Sequence, residues 1–578
     1  MRNFAVKTGT FLFCLVFAAL AVSLPYGVFA DTYGNNFTFN IDKTYDLTGR
    51  AKLSATLVWV GGRIYFYVDD QWWNSLAAGD KVKYSAAFQS LDTEFHNNIS
   101  PKLTSLWGTD VNPVVNKDGK ITVLVHPMIK DAGGYINTGD GYTKNQVPAS
   151  NEREMVYFNT KFVDAALAKA YLAHEFTHLI TFNQKDRLRG VTDEVWANEA
   201  RADYSSTVLG YDNPYAGSNF EQRVKSFSGD TTKSLVEWAN KPANYGAAHL
   251  FMQYVVDQYG TGVIADTMLT EKTGIDSFNY ALRKNGHNID FIQVFRNWLV
   301  ALAANDCRLG GQYCYKFTGL KNYNVAPRIN FLPSSDQVSL GVTYNADYFS
   351  GSWQKIVGGG GNLTLTFAGG PEAGFMVPYM LCSTDNQNCK VGDLAVGGDG
   401  KANLSLPDFG KQYASLMLMP FAAGKTSRFG SNGSGGHLLY SLQVTLAQPS
   451  AGQNDQDLQA KLLAQIDYLK KEIARLRALL LAKLAVATAN VNYSCKQVTA
   501  DLYFGIENYN QVYCLQQILK NEGMAVTLNG RYSEETKAAV TKFQEKYAAA
   551  ILTPYGYKNG TGYVGPATRK KLNEILSQ

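Results

Sequence analysis

The sequence predicts an α+β multidomain chain, and three observations predict it. The first is length: setting aside the first 30 of 578 residues leaves 548, which is a prior for three or four domains. The second is a change of texture. Helical apolar periodicity fills the middle of the chain, whereas after Gly310 short alternating runs are separated by turns rich in Gly, Asn and Asp. The third is a Leu/Ile repeat near 462–480, followed by a last segment that reads as three short helices.

Residues 1–30 read as a secretory signal peptide. Arg2 and Lys7 precede an apolar run from Phe11 to Leu24, and Val28-Phe29-Ala30 lies before Asp31. The run is too short to span a bilayer, and the later apolar stretch at 478–488 is broken by Lys483, so no membrane contact is expected after cleavage. Cys14 leaves with the signal. The six remaining cysteines fall into neighbours, Cys307 with Cys314, Cys382 with Cys389 and Cys495 with Cys514, and an even count in an exported chain suggests disulfides. Local pairing is one of about fifteen connectivities. The formal charge of +5 falls to +3 without Arg2 and Lys7, which argues against a nucleic-acid partner.

Residues 31–110 form an N-terminal α/β region, read either as part of the catalytic unit or as a pro-segment. Leu57–Val60 and Ile64–Val68 flank Gly61-Gly62, a hairpin signal, and 80–106 reads as a helix. Residues 111–324 form the unit that carries the motifs described below. It opens with the strand Ile121–Val125 after the turn Lys117-Asp118-Gly119, expected as an edge strand of its sheet. Helices follow near 162–181, 193–208, 244–259 and 275–304. Residues 325–448, with Leu363–Phe367 and Leu438–Val444 among their strands, read as a β-sandwich. Clusters such as Gly397-Gly398-Asp399-Gly400 are explained by turn chemistry before calcium.

A polar linker opens the segment 449–490. In it Leu462, Leu469 and Leu476 interleave with Ile466, Ile473 and Leu480 at spacings of four and three, and Glu472 and Arg477 can pair across the seam. This coiled-coil-like spacer makes either a homodimer through 458–484 or a helix packed on its own chain. In residues 491–578 the first helix holds Val512, Leu515, Gln516 and Leu519, and Ser533 begins a second with Thr536, Val540, Phe543 and Gln544. A third follows Gly562-Tyr563-Val564-Gly565 and holds Thr568 and Leu572.

Chemistry concentrates at His174-Glu175-Phe176-Thr177-His178 and, twenty residues on, at Trp196-Ala197-Asn198-Glu199-Ala200-Arg201-Ala202-Asp203. Histidines four apart on a helix differ by about 40° in azimuth and about 6 Å in rise, so both rings reach one metal ion. Glu175 then stands beside that ion, where a carboxylate holds an attacking water. Zinc prefers four ligands, with one position left for water at a catalytic site, so a third side chain must come from elsewhere. Positions 181 and 184 hold Thr181 and Gln184, without the histidine that would supply it locally. Glu194 lies on a different helical face from Asp203. Glu199 and Asp203 share a face, so one can ligate zinc while the other accepts the ring proton of a liganding histidine.

These tracts resemble the gluzincins, peptidases that hold zinc with two histidines and a glutamate, and among them the hyicolysin-like secreted peptidases. Trp196 to Ala202 is similar to the aminopeptidase-type tract in which Glu follows Trp-x-Asn. Asn198-Glu199-x-x-Ala202-Asp203 resembles the thermolysin-type tract, with Ala202 where Ser is usual. The resemblance implies a zincin-like metallopeptidase core, Zn2+ on His174, His178 and Glu199, Asp203 behind a histidine, and Glu175 as general base and then proton donor. Tyr245, in Asn244-Tyr245-Gly246-Ala247-Ala248-His249, resembles the helix start whose tyrosine stabilises the oxyanion; His249 is the alternative. His96, His126, His287 and His437 carry no spacing signal. Leu515-Gln516, Gly530, Phe543-Gln544 and Val564-Gly565-x-x-Thr568 resemble the peptidoglycan-binding domain of bacterial wall hydrolases. The expected protein is a secreted, wall-associated or periplasmic zinc peptidase acting on proteins or peptides. The competing expectations are a peptidoglycan stem-peptide hydrolase and a wall-bound adhesion or scaffold protein with an inactive peptidase fold.

Overall fold

Strand periodicity divides the sheet at the front of the chain into two faces. In the computed structural model of the chain, β1 (Asn36–Asn40), β2 (Lys52–Val60), β3 (Ile64–Asp69), β4 (Ile121–His126), β5 (Gly134–Tyr135) and β6 (Met155–Asn159) form one sheet of order β1-β2-β3-β4-β6-β5. The structure describes residues 30–447 except 116–117, 130–132, 334–336, 385–387 and 425–437, and residues 495–577 except 496, 505 and 507, with 467, 470 and 471 between. The signal segment, His437 and nearly all of the Leu/Ile repeat therefore lie outside the described residues. β3, β4 and β6 run parallel, and β1, β2 and β5 pair antiparallel. Ile64, Phe66 and Val68 alternate with Tyr65 and Tyr67: the first set packs on the helices, the second on Phe39, Leu57, Leu124 and Tyr157.

One expectation is corrected by this sheet. Ile121–Val125 is not an edge strand, because β4 lies between β3 and β6 and is buried along its length. A run apolar on both faces marks a central strand. The edges are β1 and the two-residue β5. Residues 36–69 share a sheet with β4 and β6, which accords with the reading of 31–110 as part of the unit that follows.

Helices cover one face of the sheet. The 80–106 pattern becomes α1 (Ala78–Glu94), a π turn at Phe95–Ile99 and α2 (Ser100–Trp107). α3 (Ala168–Thr181) carries the histidine pair and buries Leu172, Phe176 and Ile180, while its hydroxyls at Thr177 and Thr181 bond back to Ala173 and Thr177 carbonyls. α4 (Val195–Val208) packs beside it through Trp196, Ala197 and Ala200, and Trp196 stacks on Phe278. α5 (Asn219–Gly229) and α6 (Pro242–Tyr259) follow, then α7 (Thr261–Met268), α8 (Gly274–Lys284) and α9 (Phe291–Ala304). No helix among the described residues is long and apolar enough to cross a membrane.

The expected sandwich is present. Strands Cys389–Leu394, Phe375–Ser383, Tyr413–Leu418, Gln354–Gly358 and Arg328–Leu332 pair in that order. Strands Lys401–Phe409, Gly361–Gly369, Leu438–Ala447 and Gln337–Ala346 form the opposing layer, joined to the first by a single bridge, Phe409 to Tyr413. Leu363, Leu365, Phe367, Val444, Leu416 and Leu418 share the core between them. This lobe is fused to the helices: Met380, Met417, Met419 and Phe421 enter the helical core, Trp353 Nε1 donates to Leu299 O, and Arg296 pairs with Asp393 at 2.8 Å.

The described chain divides into two compact units, 1–451 and 452–578. The second has its own core around Val512, Leu515, Leu519, Val540, Phe543 and Leu572. Its helices Tyr509–Asn521, Glu534–Lys546 and Pro566–Leu576 explain the repeated glutamines. Gln516 accepts from Asn529 and Gly530 N–H and donates to Arg531 O and Thr536 Oγ1. Gln544 does the same with Thr561 and Gly562 N–H, Tyr563 O and Thr568 Oγ1. Each buried amide ties a loop to the start of the next helix. The disulfides are Cys307–Cys314, Cys382–Cys389 and Cys495–Cys514, the neighbour pairing, and they fit an oxidising compartment.

Candidate metal centre

α3 sets His174 and His178 one turn apart, and α4 brings Glu199 against them. The two Nε2 atoms lie 3.2 Å apart, and Glu199 Oε2 is 3.3 Å from His174 Nε2 and 3.7 Å from His178 Nε2. Metal bonds of about 2.0–2.1 Å arranged tetrahedrally require donor atoms separated by about 3.3 Å. The trio meets that spacing.

The hydrogen bonds behind the rings decide what the front can accept. His174 Nδ1 donates to Asp203 Oδ1 at 3.1 Å, and His178 Nδ1 donates to Asn198 Oδ1 at 3.0 Å. With a proton fixed on each Nδ1, both Nε2 atoms present lone pairs to each other and to a carboxylate. Glu199 Oε2 is buried without a hydrogen-bond partner. Three acceptors with no donor among them are mutually repulsive, and a cation resolves the conflict. Without a metal ion a proton takes that place, and the pKa values show the cluster holding it on His174. Burial pulls His174 down, but Asp203 and Glu199 reverse this and take it up to about 10. Burial likewise lowers His178, with His174 adding to the effect and Glu199 opposing it. Burial pushes Glu199 up, yet the two imidazoles hold it below its ordinary value. The donor set therefore fits a divalent cation such as zinc.

Glu175 follows His174 on the buried side of α3. Burial raises its carboxyl to about 7, with Glu199 and Asp203 adding to the shift against His174. Strand β5 crosses it closely: a Cβ at Gly134 would lie 2.6 Å from Tyr157 O and 2.9 Å from Glu175 Cγ. Tyr45 stacks on Tyr135 at 4.5 Å, and its phenol is raised by burial and then by Glu175, Asp42 and Glu199.

Tyr245 stands on the other side, its ring 6.5 Å from that of His174 and its hydroxyl donating to Asn240 Oδ1 at 2.8 Å. His249 is elsewhere. It stacks on Phe220 at 4.0 Å and reaches Thr207 Oγ1 at 2.9 Å through Nε2, a core histidine whose Nδ1 is buried without a hydrogen-bond partner. Glu194 accepts from Trp196 Nε1 and stays out of the cluster. His126 is buried 3.4 Å from Asp46, and His287 contacts Tyr259 O. The sequence reading thus named the residues that converge, but missed Asn198, Arg223, Gly134 and Tyr45. Asn198 stood inside the quoted tract, one residue before Glu199. The others come from distant segments with no local pattern.

No family model and no curated protein matches the chain. Solved structures give partial likenesses. The pre-peptidase C-terminal domain of a collagenase from Bacillus anthracis aligns at 14% identity over 21% of this chain and 98% of that one, with a TM-score of 0.14. A mitogen from Yersinia pseudotuberculosis aligns at 12% over 20% and 92%, TM-score 0.13. PliG, a periplasmic inhibitor of g-type lysozyme from Aeromonas hydrophila, aligns at 17% over 21% and 99%, TM-score 0.13. At these scores the likenesses carry no weight for the chemistry.

Proposed function

We propose that this chain is an exported, zinc-dependent peptidase of the gluzincin type, held at the bacterial cell wall by its C-terminal unit. The observation that carries the reading is the convergence of His174 Nε2, His178 Nε2 and Glu199 Oε2, with Asp203 and Asn198 fixing both ring tautomers. A zinc ion on these three side chains supplies Lewis acidity, polarising a peptide carbonyl and bringing the pKa of water to roughly 7. Glu175 takes the proton from the attacking water and returns it to the leaving amine, a role matched to a carboxyl near 7. Tyr245 leaves Asn240 to donate to the oxyanion. The free edge of β5, beside Glu175, lays an extended substrate across the site by backbone hydrogen bonds.

Wall attachment draws support from the second unit. A cavity of about 380 Å3 there is bordered by Tyr555, Tyr557, Tyr563, Leu552, Pro566 and Thr568, without a charged side chain in its lining. Such a surface suits a neutral saccharide face better than a charged peptide.

The test is metal analysis with casein hydrolysis on the wild type and Glu175→Gln. Stoichiometric zinc in both, with activity lowered at least about 10^3-fold in the variant, is the expected result. Activity confined to purified wall material moves the substrate to stem peptides. A wild type without zinc or activity makes the chain a scaffold.

A further inference from the structure

The Asp203 carboxylate is held from behind by one arginine, which also touches the candidate phenol. Arg223, on α5, donates from Nη2 to Asp203 Oδ1 at 3.0 Å, and its Nε lies 2.9 Å from Oδ2. The same guanidinium lies over the Tyr245 ring, 4.5 Å from its centroid. Asp203 Oδ1 is also the atom that receives His174 Nδ1. One side chain therefore touches both halves of the site, the liganding ring through a carboxylate and the phenol through its face.

The packing is built for this. α5 and α6 approach closely at Gly246, next to Tyr245, where a Cβ would overlap the Arg223 carbonyl oxygen. That glycine lets the backbone bearing Arg223 settle on the helix bearing Tyr245. The Asp203 side chain is fully buried, and the Arg223 side chain is 22% exposed. A carboxylate so enclosed needs a charged partner, and a planar fork fixes its rotation better than a point charge.

We propose that Arg223 is a positioning residue of the centre: it locks Asp203, and through it the His174 ring, while seating Tyr245. This rests on the zinc reading above. Lysine at 223 keeps the charge but loses both the fork and the flat face, so the two functions should separate from simple neutralisation.

The test measures zinc affinity of the full mature chain by chelator competition, with Arg223→Met, Arg223→Lys, Asp203→Asn and the double variant Arg223→Met/Asp203→Asn. Arg223→Met should weaken zinc about 10–100-fold and Arg223→Lys at least about threefold, and the double variant should bind within about twofold of Asp203→Asn alone. At saturating zinc, Arg223→Lys should lower kcat at least about fivefold with KM unchanged, because Tyr245 has lost its seat. Should Arg223→Met not fold, as judged by circular dichroism without zinc, the lysine variant decides by the same thresholds. Wild-type zinc affinity in the arginine variants, or losses that simply add in the double variant, overturn the proposal while leaving the zinc reading intact. A wild type that binds no zinc overturns both.

Discussion

Gly134 has no side chain because two other groups occupy the space one would need. A methyl there meets the Tyr157 carbonyl and the Glu175 stem, so either β5 lifts or Glu175 rotates. Gly134→Ala should therefore cost about 1–3 kcal/mol in chemical unfolding and lower kcat more than KM rises, since the displaced group is the proposed general base. Unchanged kcat with unchanged stability would remove β5 from the site. A second residue-scale effect concerns Asp140, near the same strand. It is 2% exposed, accepting from Tyr157 OH at 2.6 Å and from Asn151 N at 2.7 Å. Burial outweighs these bonds and raises its carboxyl from 3.8 to about 6. The folded state therefore binds a proton that the unfolded state has released between about pH 4 and 6. Stability from this group falls as pH rises through that window and is level above it, by roughly 2–3 kcal/mol in total. Asp140→Asn removes the titration, so urea unfolding at pH 4 and pH 7 should show the variant gaining on the wild type by that amount. A difference independent of pH would mean that the carboxyl titrates normally.

At the scale of elements, legibility followed whether a signal was local. His174 and His178 are one turn apart, and Glu199 and Asp203 share a face of α4, so spacing formed each pair, while the family resemblance joined the two pairs. Asn198 could have been read from the same tract, because a neutral acceptor beside a ligand is the usual support for a histidine. Arg223 and Tyr45 could not, since one lies twenty residues beyond Asp203 and the other on the far side of the sheet. The edge strand was misplaced for a physical reason. Ile121–Val125 is strong in the sequence because it is buried on both faces, which is what a central strand requires, whereas β5, the edge beside Glu175, is two residues long and has no periodicity. The fusion of β1–β3 to the later strands was hidden in the same way, because the parallel pairing of β3 with β4 spans more than fifty residues of helix and loop. The Leu-Gln and Phe-Gln pairs were legible as a pattern, and their cause is now concrete: each amide satisfies two loop N–H groups and a helix-start threonine.

For the whole molecule, the division at 451 separates the proposed chemistry from the proposed attachment. Every residue of the metal cluster lies in the first unit, while the tyrosine-bordered cavity lies in the second, which carries its own core and the Cys495–Cys514 bridge. A unit of this size gains from such a staple, because a core of under a hundred residues supplies only a few kcal/mol. The two functions should then come apart when the chain is cut. A chain ending at 451 should hydrolyse casein with kcat/KM within about twofold of the full protein, because no catalytic group is removed. It should also fail to sediment with purified cell walls, whereas residues 491–578 alone should sediment and inhibit binding of the full chain. On wall-embedded substrates the cut should cost far more than on soluble ones, since tethering replaces a bimolecular encounter with an effective concentration of about millimolar. Equal loss on soluble and wall-bound substrates would show instead that the second unit supports the catalytic fold. Full wall binding by the first unit alone would move the attachment surface to the sandwich.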